Sequence, residues 1–123
     1  MPTIELKDFK LSVEIGTYAI GQVQPQYHLV DLIFEIDESF ILINQDSMDK
    51  VFDYDPLIAN LEKLSNQRHF HTQEKLLTEI VELCRTYSPP LASVEVYLRK
   101  YPVSASGGTL GLRHTTHFIN SAL

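Results

Sequence analysis

The spacing of apolar residues changes twice along this chain, from every second residue to a helical period and back again, and that order limits the folds open to it. Residues 27–37 read YHLVDLIFEID, with Val30, Leu32, Phe34 and Ile36 on one face of an extended strand and Leu29, Asp31, Ile33 and Glu35 on the other. Residues 3–15 alternate too, but Ile4 and Leu6 share one parity while Phe9, Leu11, Val13 and Ile15 take the other, with Lys7 and Asp8 between. A period of two changes phase only through an extra residue, so a bulge or tight bend is expected there. Gly16 to Gln26, which holds Gly16, Gly21 and Pro25, is too long for a two-residue hairpin and reads as a loop.

After residue 50 the spacing becomes helical. Asp55-Pro56 reads as an N-cap with proline in the first turn, followed by Leu57, Ile58, Leu61 and Leu64. A second helix starts near Thr72, carries an apolar stripe of Leu76, Leu77, Ile80, Val81 and Cys84, and stops before Pro89-Pro90. Then Val94, Val96 and Leu98 alternate with Ser93, Glu95, Tyr97 and Arg99. A loop, Ser104 to Gly108 (SASGG), leads to a last strand from about Thr109 to Ile119. The order strand, strand, helix, helix, strand, strand predicts an α+β fold: a four-stranded antiparallel sheet with both helices on one face, in one domain spanning 1–123. Its other face would carry Leu29 and Ile33. A half-apolar sheet face of that kind is normally covered, so symmetric self-association is expected.

The 123 residues carry 10 Lys plus Arg against 16 Asp plus Glu, a formal charge of −6, which argues against nucleic-acid binding through bulk electrostatics. No apolar run approaches the roughly 18 residues of a membrane span, and the start, MPTIELKDFK, does not read as a signal or transit peptide. One cysteine, Cys84, leaves no internal disulfide framework, so a cytoplasmic location is expected.

Few residues suggest chemistry by themselves. Glu74 lies two residues past Thr72, where a carboxylate complements the helix dipole. If it faced a pocket, its two oxygens would suit the paired N–H donors of an amidine-like ligand edge. Lys100 at a strand end reads either as a solvated edge lysine or, if desolvated, as a proton shuttle. Tyr54, before Asp55-Pro56, reads as an interior anchor or as a phenol able to relay a proton. His69 and His71 form an HxH, and His114 and His117 lie further on, but no adjacent ligand cluster gives a metal spacing, so structural or surface roles are expected and no metal. Cys84 reads as a small core residue and SASGG as a hairpin loop.

Taken in order, IELKDFKLSVEIG, PQYHLVDLIFEID, VFDYDPLIANLE, HTQEKLLTEIVE and VEVYLRKYP make the chain resemble the dihydroneopterin aldolase family of the tunnelling fold over nearly its whole length. The resemblance implies that Glu74 in TQEKL, with Gln73 beside it, anchors a pterin. It implies that Tyr54 in FDYDPL reaches the site across a subunit interface, where it contacts the substrate and shares the proton transfers, and that Lys100 in LRKYP transfers protons. It implies a homo-oligomer, tetramer or octamer, closing into a β-barrel, and retro-aldol cleavage of 7,8-dihydroneopterin without cofactor, metal or Schiff base. Gly21 stands where the family usually has a glutamate; Gln22 or Gln24 could reach the same ligand hydroxyls, though an amide is no carboxylate base. Two alternatives stand beside the aldolase. One is an epimerase of dihydroneopterin or its triphosphate, and the other is a pterin- or purine-binding protein without catalysis.

Overall fold

The structure is a computed structural model that describes residues 1–12, 27–64 and 70–118. Strand β1 (Thr3–Leu11) pairs antiparallel with β2 (Tyr27–Ile36), and the expected phase change is a bulge between Leu6 and Phe9. Asp8 takes φ +57°, in the left-handed region, and the Asp31 carboxylate accepts a hydrogen bond from its N–H at 2.8 Å. The bulge thus turns Ile4, Leu6, Phe9 and Leu11 toward the same face, opposite Phe34, Leu32, Val30 and His28 respectively. Val13 and Ile15, the Gly16–Gln26 loop, His69 and Ile119 lie outside the described residues.

Helix α1 (Asp55–Leu64) begins one residue earlier than Asp55-Pro56 suggested. Asp55 is its first helical residue, the Tyr54 carbonyl accepts from the Ile58 N–H at 3.0 Å, and Asp53 Oδ1 accepts from the Asp55 N–H. Tyr54 therefore holds the cap position. Helix α2 (Gln73–Arg85) starts as expected, with the Thr72 side chain accepting from the Lys75 N–H. Two short 3₁₀ turns, Glu38–Phe40 and Met48–Lys50, fill a stretch whose sequence shows no clear period.

Strand β3 (Leu91–Tyr101) pairs with β2 and with β4 (Leu110–His117), so the sheet order is β1-β2-β3-β4, all antiparallel. Ser104 to Gly108 is the β3–β4 turn, closed by the Gly107 N–H on the Ser104 carbonyl, with Gly107 and Gly108 at φ +86° and +82°. Both helices contribute to one core. Leu57 and Leu61 of α1 and Leu76, Ile80 and Cys84 of α2 are buried with Val30, Leu32, Phe34, Val94, Val96 and Leu98 of the sheet. Full burial of one such aliphatic or aromatic side chain contributes about 1.5–3 kcal/mol, so this face holds the domain together.

The opposite face carries less bare hydrocarbon than the alternation alone suggested. Arg99 donates to both Asp31 oxygens, at 2.8 and 3.2 Å, and to Asp8 Oδ1 at 2.7 Å. Tyr97 lies between the guanidinium groups of Arg99 and Arg113, 4.7 and 4.1 Å from its ring centre, and Arg113 donates to Glu95. Leu29 and Ile33 are half-buried beside this network. Paired charges, together with the two aliphatic side chains, dress the open face.

Candidate active site

Sheet register decides which of the candidate residues meet. Lys100 lies opposite His28 on β2 and Leu110 on β4, so β3 is an inner strand there and Lys100 is half-buried rather than a solvated edge lysine. Its parity is that of Val94, Val96 and Leu98, which puts it on the helix-covered face. Helix α2 begins at the same end of the sheet. Gln73 is buried, and its Nε2 donates to the Leu110 carbonyl at 3.4 Å, which fixes the first turn of α2 beside the row that holds Lys100. Glu74 follows in that turn, exposed, with its carbonyl accepting from the Thr78 hydroxyl. The N-terminal end of α2, where the helix dipole favours a negative charge, is thus anchored beside that row.

Tyr54 is elsewhere. It is 51% exposed, which excludes an interior anchor. It lines a cavity of about 430 Å³ with Ile4, Phe40, Ile41, Met48 and Phe52, and a second of about 290 Å³ with Leu6, Phe34 and Leu57. Ile4 and Leu6 pair with Phe34 and Leu32, whereas Lys100 pairs with His28, six and four residues away along β2. At about 3.3 Å per residue those positions lie roughly 13–20 Å from the Lys100 row. One chain thus brings Gln73, Glu74 and Lys100 to one end of the sheet and leaves Tyr54 toward the other. Gln24 and Gly21 lie outside the described residues.

The register also reveals a residue that the alternation could have flagged. His28 shares the parity of Val30, Leu32, Phe34 and Ile36, and it is 1% exposed. Burial first, and then the Lys100 charge, push its pKa down to about 4, so the ring is neutral near pH 7. The other described histidines do not converge. His71 is exposed in front of α2, while His114 and His117, three apart on one strand, face opposite sides of the sheet. Among the described residues, no group of three or more His, Cys, Asp or Glu is arranged to hold a metal ion. Cys84 is buried in the core, where desolvation raises its thiol pKa to about 12, and it has no nucleophilic character. Among the described residues no helix is long and apolar enough to cross a membrane.

A four-stranded antiparallel sheet in the order β1-β2-β3-β4, interrupted between β2 and β3 by two helices that cover one face, defines the chain as a tunnelling-fold protein. Comparison with known proteins narrows the class. A sequence model described as dihydroneopterin aldolase matches residues 4–112, and the chain belongs to that family. Among solved structures it resembles dihydroneopterin aldolase from E. coli, described in complex with neopterin, at a TM-score of 0.78 and 16% identity, covering 94% of this chain and 99% of the other. It resembles equally a Burkholderia dihydroneopterin aldolase described as bound to guanine, at 0.78 and 16%, covering 94% and 90%. At such identities the likeness is one of fold. No curated protein matches the chain.

Proposed function

We propose that this protein cleaves 7,8-dihydroneopterin by a retro-aldol reaction into 6-hydroxymethyl-7,8-dihydropterin and glycolaldehyde, as a step in folate biosynthesis. The observation that carries this reading is the meeting of the first turn of α2, with Gln73 and Glu74, and the Lys100 row at one end of the sheet. A pterin presents a ring N–H and an exocyclic amino group side by side, and a carboxylate such as Glu74 grips that edge with two parallel hydrogen bonds. Guanine presents the same edge. The neopterin and guanine named for the two similar structures fit this choice of ligand.

The substrate supplies its own electron sink, so in this reading the chain needs neither a metal nor a Schiff base. A base takes the proton of the second side-chain hydroxyl, the carbon–carbon bond beside it breaks, and glycolaldehyde leaves. The released electron pair enters the C=N bond of the ring, whose nitrogen takes up a proton. Protonation of the side-chain carbon and loss of the ring proton then give the hydroxymethyl product, with no net change of oxidation state. Lys100, directly or through water, is assigned to the proton transfers, and Gln73 and Gln24 are assigned with Glu74 to substrate binding.

Tyr54 is assigned to the site of a second copy. The placement of Tyr54 beside Ile4 and Leu6, roughly 13–20 Å along the sheet from the Lys100 row, supports this, as do the exposed Ile41 and Met48 of the same cavity, which a neighbouring subunit would cover. The working protein is then a homo-oligomer in the cytoplasm, a tetramer or octamer with its sheets closed into a barrel.

Calorimetry and product analysis test the reading together. Wild-type protein should bind neopterin and release glycolaldehyde from dihydroneopterin. Glu74→Ala should abolish binding, whereas Lys100→Ala should retain binding and lose about 100-fold or more in turnover, the scale of a general acid–base group. A stereoisomer formed without glycolaldehyde would identify an epimerase instead, and failure of the wild type to bind any pterin would overturn both enzyme readings.

A further inference from the structure

Four residues form a row across the sheet on its helix-covered face: Leu11, His28, Lys100 and Leu110. His28 is 1% exposed, and among the described residues neither Nδ1 nor Nε2 has a hydrogen-bond partner. A neutral imidazole carries one N–H donor and one lone pair, and burying both unpaired costs free energy that an apolar side chain there would not incur. The other β2 residues of this face are apolar: Val30, Leu32, Phe34 and Ile36. The polar exception therefore falls on the position directly opposite Lys100. A buried group left unsatisfied in this way calls for an explanation, a functional partner being one.

The surroundings select that partner. Strand β1 presents Leu11 and β4 presents Leu110, neither with a polar side chain. Helix α2 brings Gln73, already engaged with the Leu110 carbonyl, and Glu74, which is exposed. Lys100 on β3 is the charged group whose field the ring feels. Residues directly opposite on antiparallel strands have Cβ atoms about 4.5–5.5 Å apart, so the lysine stem can fold back over the ring. Burial keeps the imidazole unprotonated, and an unprotonated ring nitrogen is an acceptor.

We propose that His28 is a positioning residue for Lys100: its unprotonated ring nitrogen accepts a hydrogen bond from the Lys100 ammonium, directly or through one water, and so aims that amine at the substrate side chain. The proposal rests on the assignment of proton transfer to Lys100. The ring does not shuttle the proton itself, because a group that protonates only near pH 4 is too weak a base for that.

The test compares His28→Phe, which keeps the ring shape without an acceptor, with His28→Gln, whose amide oxygen restores one. His28→Phe should bind neopterin with an affinity within about twofold of wild type while kcat falls about tenfold. The limb of its kcat–pH profile that Lys100→Ala removes should move to lower pH, because the ammonium has lost an acceptor that favours its charged form. His28→Gln should recover most of the rate and the limb. Unchanged kcat and pH profile in His28→Phe would overturn the proposal, as would equal losses in both variants that follow their melting temperatures. Nitrogen NMR of the wild type and of Lys100→Met decides the contact without turnover. The basic nitrogen of His28 should resonate upfield in wild type and lose that shift in Lys100→Met, and identical spectra would overturn the contact. A wild type that turns over no pterin yet shows the shift would overturn the aldolase reading and leave the contact standing.

Discussion

The two faces of the sheet treat polar groups in opposite ways. On the open face Arg99 is almost buried but holds Asp31 with both arms of its guanidinium and Asp8 as well, Arg113 meets Glu95, and Ser93 donates to Glu35. Burial of Asp31 raises its carboxyl pKa, but the hydrogen bonds from Arg99 and the Asp8 N–H and the charges of Arg99 and Lys7 outweigh this and hold it below the usual value. On the helix-covered face His28 is fully buried, with neither nitrogen paired among the described residues. The open face thus shows charges satisfied by one another, and the covered face shows a polar group kept at a cost to stability.

The largest test of this contrast is Arg99→Ala. It leaves the Asp31 carboxylate, 13% exposed, beside Asp8 without its counter-charge, and breaking such a pair from one side costs about 3–5 kcal/mol. Urea unfolding should show a loss of that size; a change under 1 kcal/mol would mean the network is no more than a solvated surface pair.

The second test is acid unfolding. His28 titrates near 4 in the folded protein against 6.5 for a free side chain, so the unfolded state binds the extra proton in that window. Stability is whole above pH 6.5 and falls as the pH drops toward 4, by roughly 3 kcal/mol at 1.36 kcal/mol per unit. His28→Phe should lack this slope. Asp31 acts with the same sign but lower on the scale, since a depressed carboxyl pKa withdraws its stabilisation only below the ordinary carboxylate range. Two separate acid phases in wild type and one in His28→Phe would distinguish the faces.

A smaller effect is expected at Gly111, which faces the open side opposite Arg99. A Cβ there would come 2.7 Å from the Leu98 carbonyl oxygen and 2.9 Å from Tyr97 Cε1, displacing the tyrosine from between the two arginines. Gly111→Ala should therefore destabilise by about 1–3 kcal/mol, the usual cost of overpacking. Arg113→Ala should be the mildest, since that guanidinium is more than half exposed and its pair with Glu95 is screened by solvent. Its denaturation midpoint should match wild type at physiological salt, and a clear shift would show that the open face is buried against another chain.

Much of the architecture could be read from local pattern. The phase slip between Leu6 and Phe9 located the bulge, Thr72 located the start of α2, and the prolines after Ser88 its limit, because bulges, caps and breakers act over a few residues. The cap of α1 is legible only to within one residue, because Asp53 and Asp55 offer the same side chain on either side of Tyr54. The candidate site was less accessible. Glu74, Tyr54 and Lys100 stand out by residue type, but their own sequence surroundings suit a helix-dipole carboxylate, an anchor and an edge lysine equally well, and only the family resemblance gives them, with Gln73, a role in one site.

By itself, then, the sequence determined the elements, the face each strand buries, the two-helix insertion and the family, because each depends on a period or a motif within one segment. Only the tertiary structure set Lys100 between His28 and Leu110, joined Arg99 to Asp31, and left Tyr54 beside Ile4 and Leu6, away from the Lys100 row. The strand pairings depend on the register between segments far apart in the chain, and a slip of one residue would have turned His28, Asp31, Arg99 or Lys100 to the opposite face.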